Sequence, residues 1–479
     1  MHLILETPTT LRIHFSSPEE EEKVRSALEY RDKDVERQIA NLKKNWYLSQ
    51  RYGQEWVNQK LADLKKESVK SLLFSDDSGH FTMAGMKKRL AGLFPGTTFE
   101  NRVEYPEFKL IPWAKVPKDE MRYYQTAAVA RMLESPHSHI SVATGGGKSA
   151  IILNLIKKTG LRSVVVAPSK SIAMQLYKDF VDHLGKKYVG FYGAGKKQYD
   201  KQIVIGIAQS FTRIEPESDD FIAFQDTQVL IYDESQTSPA VTFEKVCNCV
   251  FKNAQYRWFT SATQERNDGR DLILEGIIGP EVYRKDIKDL QEEGFLAKLS
   301  TLIFDVESQS SKTYDNVVKM NQEHLYRNQH IAQTVANLVN QAVENNMPTL
   351  VLVDEHSQEE MLKNYLKVEY AYARAGSDVS GIVKNFNEGK LMCVVGTSAV
   401  STGTNFLPLK LTICWQGNRA GTKVKQGAIG RSTRIHKETG KTEAKIVDFR
   451  ITNVPMLYRH ANDRIKHYQA VGPVSFVKA

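Results

Sequence analysis

Short apolar, β-branched runs alternate with amphipathic stretches along most of this chain, and the alternation comes in two series. The first holds Ile140-Ser141-Val142, Ser163 to Ala167, Gln202 to Gly206, Val229 to Tyr232 and Arg257 to Thr260. The second resumes after Thr301 with Thr349 to Val353, Met392 to Gly396, Leu411 to Trp415 and Ala444 to Asp448. Continuous apolar runs of strand length belong to strands buried on both faces. Such strands, separated by helical stretches, predict doubly wound parallel sheets. The pattern therefore predicts two tandem α/β domains, over residues 116–299 and 300–454.

The ends differ. Leu11 to Phe15 alternates like a half-buried strand. Pro18 to Lys44 is highly charged and helical in pattern, opening on the start signal Ser17-Pro18-Glu19-Glu20. Ser71 to Met83 predicts a short hairpin, with a helix from about Ala84 to Leu93. Arg102 to Lys118, carrying Pro106, Pro112 and Pro117, predicts a linker. Residues 1–115 are thus expected to form a small α+β N-terminal domain, and 455–479 a short helical tail.

Composition sharpens the picture in three places. A chain of 479 residues is too long for one core. A net charge of +9 points to a polyanionic partner. Cys247, Cys249, Cys393 and Cys414 lack zinc spacing and imply no disulfide framework. A signal peptide and a membrane-length apolar run are both missing, so the expected location is cytoplasmic, host cytoplasm for a phage-encoded chain.

The candidate chemistry starts at Ala143-Thr144-Gly145-Gly146-Gly147-Lys148-Ser149, between an apolar run and a helical one. Glycines let backbone N–H groups converge on phosphate oxygens, and the helix start adds partial positive charge. Lys148 can reach the β- and γ-phosphates, and Ser149 can hold Mg²⁺. Val142 stands where the strict motif has its first glycine. About 85 residues later, Asp233-Glu234 closes a strand pattern. An acidic pair there suits Mg²⁺ binding by Asp233 and activation of a water by Glu234. A third cluster, Gln426 to Arg434, places Arg431 and Arg434 three residues apart on one helical face. Guanidiniums there could spread the charge of a transferring phosphoryl group. The same residues also fit a basic surface helix.

Together these segments resemble the superfamily 2 helicases and translocases over about 119–450. Met121 to Gln125 resembles the adenine-recognition segment, with Arg122, Tyr124 and Gln125 at the base. Ala143 to Ser149 resembles motif I, with Thr144, Gly145, Gly146, Gly147, Lys148 and Ser149 on the phosphates. Ala167-Pro168-Ser169 and Gly206 to Ser210 resemble motifs Ia and Ib. Asp233 to Gln236 resembles motif II, and Ser261-Ala262-Thr263, followed by Arg266 to Gly269, resembles motif III. Gly396-Thr397 with Ser401-Thr402-Gly403 resembles motif V, and Gln426 to Arg434 motif VI. The Arg266 to Gly269 extension, the N-terminal region and the basic stretch Leu457 to Tyr468 resemble the UvsW-type phage helicases, relatives of the RecG and XPB motors.

The resemblance implies two RecA-like domains with ATP and Mg²⁺ between them. Lys148, Ser149, Asp233 and Glu234 would form one wall, and Gln426, Arg431 and Arg434 the other, with Gly403 beside the nucleotide. Ser169, Ser210, Arg266, Thr397 and Ser401 would contact nucleic acid. It further implies branch migration of Holliday junctions, forks, D-loops or R-loops in replication, recombination or repair, alongside proteins of those processes. Residues 1–115 would read branched DNA, or serve only folding and solubility. An RNA helicase and a non-hydrolysing nucleic-acid scaffold are the rivals. Two positions depart from the family pattern. Gln236 stands where many relatives have histidine, and Gln264 where proline is common.

Overall fold

In chain order, the N-terminal strands are β1 (His2–Thr7), β2 (Thr10–His14), β3 (Glu29–Arg31), β4 (Val69–Ser71), β5 (Phe74–Asp76), β6 (Gly79–Met83) and β7 (Thr98–Asn101). The helices among them are α1 (Pro18–Ala27), α2 (Lys33–Lys44), α3 (Trp46–Tyr52), α4 (Gln54–Ser68) and α5 (Lys87–Leu93). The computed structural model describes residues 1–111, 121–262, 271–397, 400, 404–417 and 423–478, apart from the side chains of 423, 425 and 426.

The strand order β5-β6-β2-β1-β7 makes a five-stranded sheet, while β3 and β4 pair separately. Ser17 caps α1 as its start signal predicts. The single charged helix expected over Pro18 to Lys44 is broken in two. Glu29–Arg31 pairs antiparallel with Val69–Ser71, and the Asp32 carboxylate accepts the Asp34 N–H at 3.0 Å, starting α2 afresh. With Val69–Ser71 occupied in that way, the expected hairpin begins at Phe74.

The first α/β sheet contains β8 (His137–Val142), β9 (Ser163–Ala167), β10 (Val189–Gly193), β11 (Lys196–Lys197), β12 (Ile203–Ile207), β13 (Val229–Asp233), β14 (Tyr256–Ser261) and β15 (Glu281–Lys285). Their order is β11-β10-β12-β9-β13-β14-β8-β15. From β10 through β8 the neighbours are parallel, apart from the antiparallel β10–β11 edge. The register sets Asp233 beside Thr260 and Thr260 beside Ile140, so the carboxyl ends of β13, β14 and β8 lie together. Ligands in open α/β sheets gather at such ends. The helices that carry the site are α6 (Tyr123–Glu134), α7 (Lys148–Thr159) and α8 (Lys170–Leu184).

The second sheet contains β16 (Lys298–Val306), β17 (Thr349–Val353), β18 (Ala371–Ala373), β19 (Cys393–Gly396), β20 (Leu411–Trp415), β21 (Glu443–Ile451) and β22 (Val474–Lys478), all parallel, in the order β18-β19-β17-β20-β21-β16-β22. Two parallel α/β sheets are therefore present as the apolar runs predict. The helical tail is more than a tail. Its helix, Pro455–Gln469, buries Leu457, His460, Ala461, Arg464, Ile465 and Tyr468, and the chain then adds β22 to the sheet. Arg464 donates twice to buried Asp448, at 2.8 and 3.0 Å, and the Tyr468 hydroxyl donates to it at 3.0 Å.

Two compact units result: 1–142 with 147–284, and 143–146 with 285–479. Inside the first unit, the N-terminal sheet shares one hydrophobic cluster with the α/β sheet. Leu3, Leu11, Ile13, Met86 and Leu90 belong to it with Ile273, Leu274, Ile277 and Ile278. The contact is backbone-close. A Cβ on Gly85 would overlap the carbonyl oxygens of Glu275 and Gly276, and Arg89 forks onto the Glu275 carboxylate at 2.6 and 3.0 Å.

Candidate nucleotide site

The glycine loop leaves β8 in a turn closed by the Gly146 N–H on the Ala143 carbonyl, 2.9 Å. Gly145 and Gly147 hold φ of +86° and +81°, which side-chain-bearing residues avoid. Gly147 has a second reason to lack a side chain, since a Cβ there would overlap the Gln125 amide. Gln125 is itself fixed by the Arg122 N–H, which donates to its Oε1 at 3.0 Å. The predicted base-reading segment and the loop thus meet. Tyr124 is fully buried, and its hydroxyl accepts from Arg122 Nη1 at 2.8 Å. That leaves its ring no open face for a nucleotide. The exposed aromatic ring here is Tyr123, which the sequence reading passed over.

Lys148 opens α7 and is buried. Its Nζ lies 2.8 Å from Glu234 Oε1 and donates to the Val142 carbonyl at 3.3 Å. Ser149 follows, half-buried. Across the sheet, Asp233 ends β13 and accepts from the Thr260 hydroxyl at 2.6 Å and from the Glu234 N–H at 3.0 Å. Burial raises its pKa to about 6; the Glu234 charge adds to this, and Lys148 opposes it. Burial works the same way on Glu234, but the Lys148 charge and hydrogen bonds from Lys148, Gln236 and the Ala262 backbone outweigh it. Glu234 is left below the usual carboxylate range, ionised beside an ammonium. It also sits at φ +51°, ψ +45°. A non-glycine residue held in that region costs about 1–3 kcal/mol, and such positions cluster at functional sites.

The departure at Gln236 has a structural answer. Its Nε2 donates to Glu234 Oε2 at 2.6 Å, and its Oε1 accepts the Ser261 hydroxyl at 2.6 Å. Gln236 therefore ties the acidic pair to the end of β14 within one unit. The residue type alone gave no sign of that orientation.

The donor set suits magnesium. Asp233 is a buried carboxylate with no ion-pair partner of its own among the described residues, and the Ser149 hydroxyl is hard and oxygen-based. Among the described residues no three metal-ligating side chains cluster. Mg²⁺ is ordinarily held through one or two carboxylates plus substrate phosphates.

In the second unit, a wide-turned helical stretch over Lys423–Ile429 runs into the short turn Gly430–Ser432. Arg431 is buried, and its Nη1 donates to the Gly427 carbonyl at 3.0 Å. A basic surface helix is therefore not what Arg431 belongs to. Burial pulls its pKa down to about 10, with Arg434 adding to the effect. Arg434 lies past the end of the helical turn, so the two arginines do not share one continuous helix face as their spacing predicts. Lys441, which no sequence motif singles out, is buried nearby in sequence, and its Nζ has no hydrogen-bond partner among the described residues. Burial lowers its pKa to about 7. Only its burial singles it out, and nothing local in the sequence announces that.

Of the candidate nucleic-acid contacts, Ser169 caps α8 by accepting the Ile172 N–H at 3.4 Å. Ser210 lies half-buried in the short helix Ala208–Phe211. Thr397 follows β19, with its N–H on the Ala373 carbonyl at 3.0 Å. Arg266, Ser401, Gly403 and the side chain of Gln426 lie outside the described residues.

Residues 118–266 match the family described as type III restriction enzyme, res subunit. Over 222 residues the chain is 27% identical to the DNA 3′-5′ translocase XPB2 of Sulfurisphaera tokodaii, covering 46% of this chain and 47% of that one. The chain thus spans about half the length of that curated relative. A fragment of a putative HsdR subunit of a type I restriction enzyme from Vibrio vulnificus shares the fold. Its TM-score is 0.55 at 17% identity, covering 74% of this chain and 68% of that one. UvsW of bacteriophage T4 aligns over 100% of this chain and 99% of its own, at 16% identity and a TM-score of 0.44. The chain resembles the superfamily 2 helicases and translocases.

Proposed function

From that resemblance and the site's geometry, we propose that the chain is an ATP-driven DNA translocase that remodels branched DNA by branch migration and unwinding. The observation that supports it most is the unbroken chain of contacts Lys148–Glu234–Gln236–Ser261. It holds an ionised carboxylate, a cation and a linker to the neighbouring strand in one largely buried wall.

The roles follow from the contacts. Glu234 is kept ionised by Lys148 and Gln236, so it can accept a proton from an attacking water near neutral pH. Lys148 is held at the mouth of the glycine loop, where phosphate oxygens would take over from Glu234 as its partner. Thr144, Gly145, Gly146 and Gly147 supply the loop backbone. Asp233 and Ser149 would hold Mg²⁺, which supplies charge neutralisation for the β- and γ-phosphates. Arg122 and Gln125, braced by buried Tyr124, would read the adenine edge. Arg431 and Arg434, with Gln426, would stabilise the charge of the transferring phosphoryl group, and Gly403 would line the nucleotide. Ser169, Ser210, Arg266, Thr397 and Ser401 would grip phosphates without reading bases. Residues 1–115 would direct the motor to branched structures.

The deciding experiment is ATP turnover against single-stranded, duplex, forked and four-way DNA, with RNA controls. Stimulation by DNA, strongest on forks and junctions, is expected. Preference for RNA would move the chain to the RNA helicases of the same superfamily. Turnover indifferent to every nucleic acid would overturn the motor reading. Glu234→Gln should keep ATP binding and lose hydrolysis, because an amide cannot take the proton. A Glu234→Gln variant turning over at the parent rate would refute the assignment of the base.

A further inference from the structure

The helical projection α2–α4 has no task in the motor chemistry. α2 and α3 bury no residue, and α4 buries only Val57, Leu64 and Ser68. At its end, where α2 passes into α3 and α3 into α4, four large rings face solvent. Trp46 is 67% exposed, Tyr47 54%, Tyr52 49% and Trp56 43%. Single exposed apolar residues need no explanation, whereas four large exposed rings within eleven residues, two of them in contact, suit an interaction site.

The surroundings select the partner. Lys43, Lys44, Arg51 and Lys60, each within four residues of one of these rings in sequence, are exposed. From Arg37 to Lys60 the one acidic side chain is Glu55. Tyr52 and Trp56 lie with ring centroids 4.9 Å apart, tilted by 33°. The Arg51 guanidinium stands 5.3 Å from the Tyr52 ring. Protein interfaces are depleted of lysine, which argues against a protein partner here. A membrane-surface helix needs a continuous apolar face, and α3 interrupts its aromatics with Ser49, Gln50 and Arg51. Aromatic rings set among cations suit bases and phosphates of one strand. A closed duplex offers phosphates but keeps its base faces stacked away from such rings. Trp46 and Tyr52 are six residues apart, about 9 Å along a helix, which matches two to three base steps at about 3.4 Å each.

We infer that the tip of α2–α4 is a stacking platform for unpaired nucleobases, with Lys43, Lys44, Arg51 and Lys60 on the flanking phosphates. This deepens the DNA-motor reading and rests on it for the identity of the strand. At a fork or junction, the platform would hold bases that have lost their partners.

The test uses the full chain and two readouts. Binding to a short oligothymidylate and to a blunt duplex of equal length reads the platform; nucleic-acid-stimulated ATP turnover reads the motor. Trp46→Ala and Trp56→Ala should each weaken oligothymidylate binding by roughly 5- to 150-fold, the range for one lost base stack. Duplex binding and basal turnover should hold. Trp46→Tyr and Trp56→Tyr should restore most of the loss, because any π-face stacks. Unchanged oligothymidylate affinity in the alanine variants would overturn the platform while leaving stimulated turnover, and so the motor reading, standing. Equal losses on duplex and single strand would also overturn it, as would variants that change only the protein's self-association.

Discussion

Replacing Gln236 with alanine removes one link from the buried wall and tests how the base is held. In the parent, the Gln236 amide donates to Glu234 Oε2 and accepts the Ser261 hydroxyl, both at 2.6 Å. A hydrogen bond to a charged group contributes about 1.5–3 kcal/mol. Its loss shifts the balance between ionised and protonated Glu234 by roughly 10- to 150-fold toward the protonated form. Before ATP binds, Lys148 at 2.8 Å keeps part of the stabilisation; once it turns to the phosphates, the Gln236 amide carries more of it. Glu234 works as a base only when ionised, and its pKa is lowered in the parent, partly by this bond. Removing the bond raises it, so the acid limb of turnover against pH should move toward neutral. Turnover should fall most at mildly acidic pH and recover as pH rises, with ATP affinity nearly unchanged. Ser261→Ala should move the limb in the same direction by less, because it leaves the amide's bond to Glu234 intact. Steady-state ATP turnover from acid to alkaline pH, with ATP binding measured separately, is the assay. An acid limb unmoved in Gln236→Ala would refute the claim that this amide tunes the base.

Three further outcomes are expected. Gly147→Ala should displace Gln125 and strain a +81° φ, so nucleotide binding itself should be lost by equilibrium titration. Asp233, raised to about 6, must lose its proton to bind a cation; the Mg²⁺ concentration for half-maximal turnover should therefore climb about tenfold per unit as pH falls below about 6. Asp448→Ala would strand the buried Arg464 guanidinium and the Tyr468 hydroxyl, so the second unit should lose about 3–5 kcal/mol, seen as an earlier urea transition.

Much of the fold is legible because parallel strands buried on both faces print their burial as continuous apolar runs. Thr349–Val353 and Leu411–Trp415 are strands over the expected residues, and Val229 to Tyr232 extends by one to reach Asp233. β10 escapes notice because Gly190 and Gly193 interrupt its run, and β22 because Phe476 and Val477 stay exposed at a sheet edge. The interruption of the helix from Pro18 depends on Val69–Ser71, some forty residues away in sequence, which no local pattern signals. In the candidate site, residue types single out Lys148, Asp233 and Glu234, and the fold brings the three together. Orientation is not written locally. Whether Tyr124 or Tyr123 faces outward depends on how α6 packs, and where Gln236 points depends on β14. The close packing of the N-terminal region on the first α/β sheet goes unannounced for a related reason. Met83, Met86 and Leu90 look like an internal core until Gly276 of a distant helix is placed against them.

That close seat of Gly85 on the Glu275–Gly276 backbone bears on how load travels through the molecule. Two glycines meeting main chain to main chain, clamped by the Arg89 fork, leave little compliance at the joint. The N-terminal sheet and the α/β elements bearing Lys148 and Asp233 are then mechanically in series, like a handle fixed to its blade. Tension on the α2–α4 projection would reach the catalytic strands without first being absorbed by a soft connection. Lengthening the side chain at Gly85 should loosen that joint. In a tethered-strand experiment, stall force should then drop before unloaded ATP turnover does.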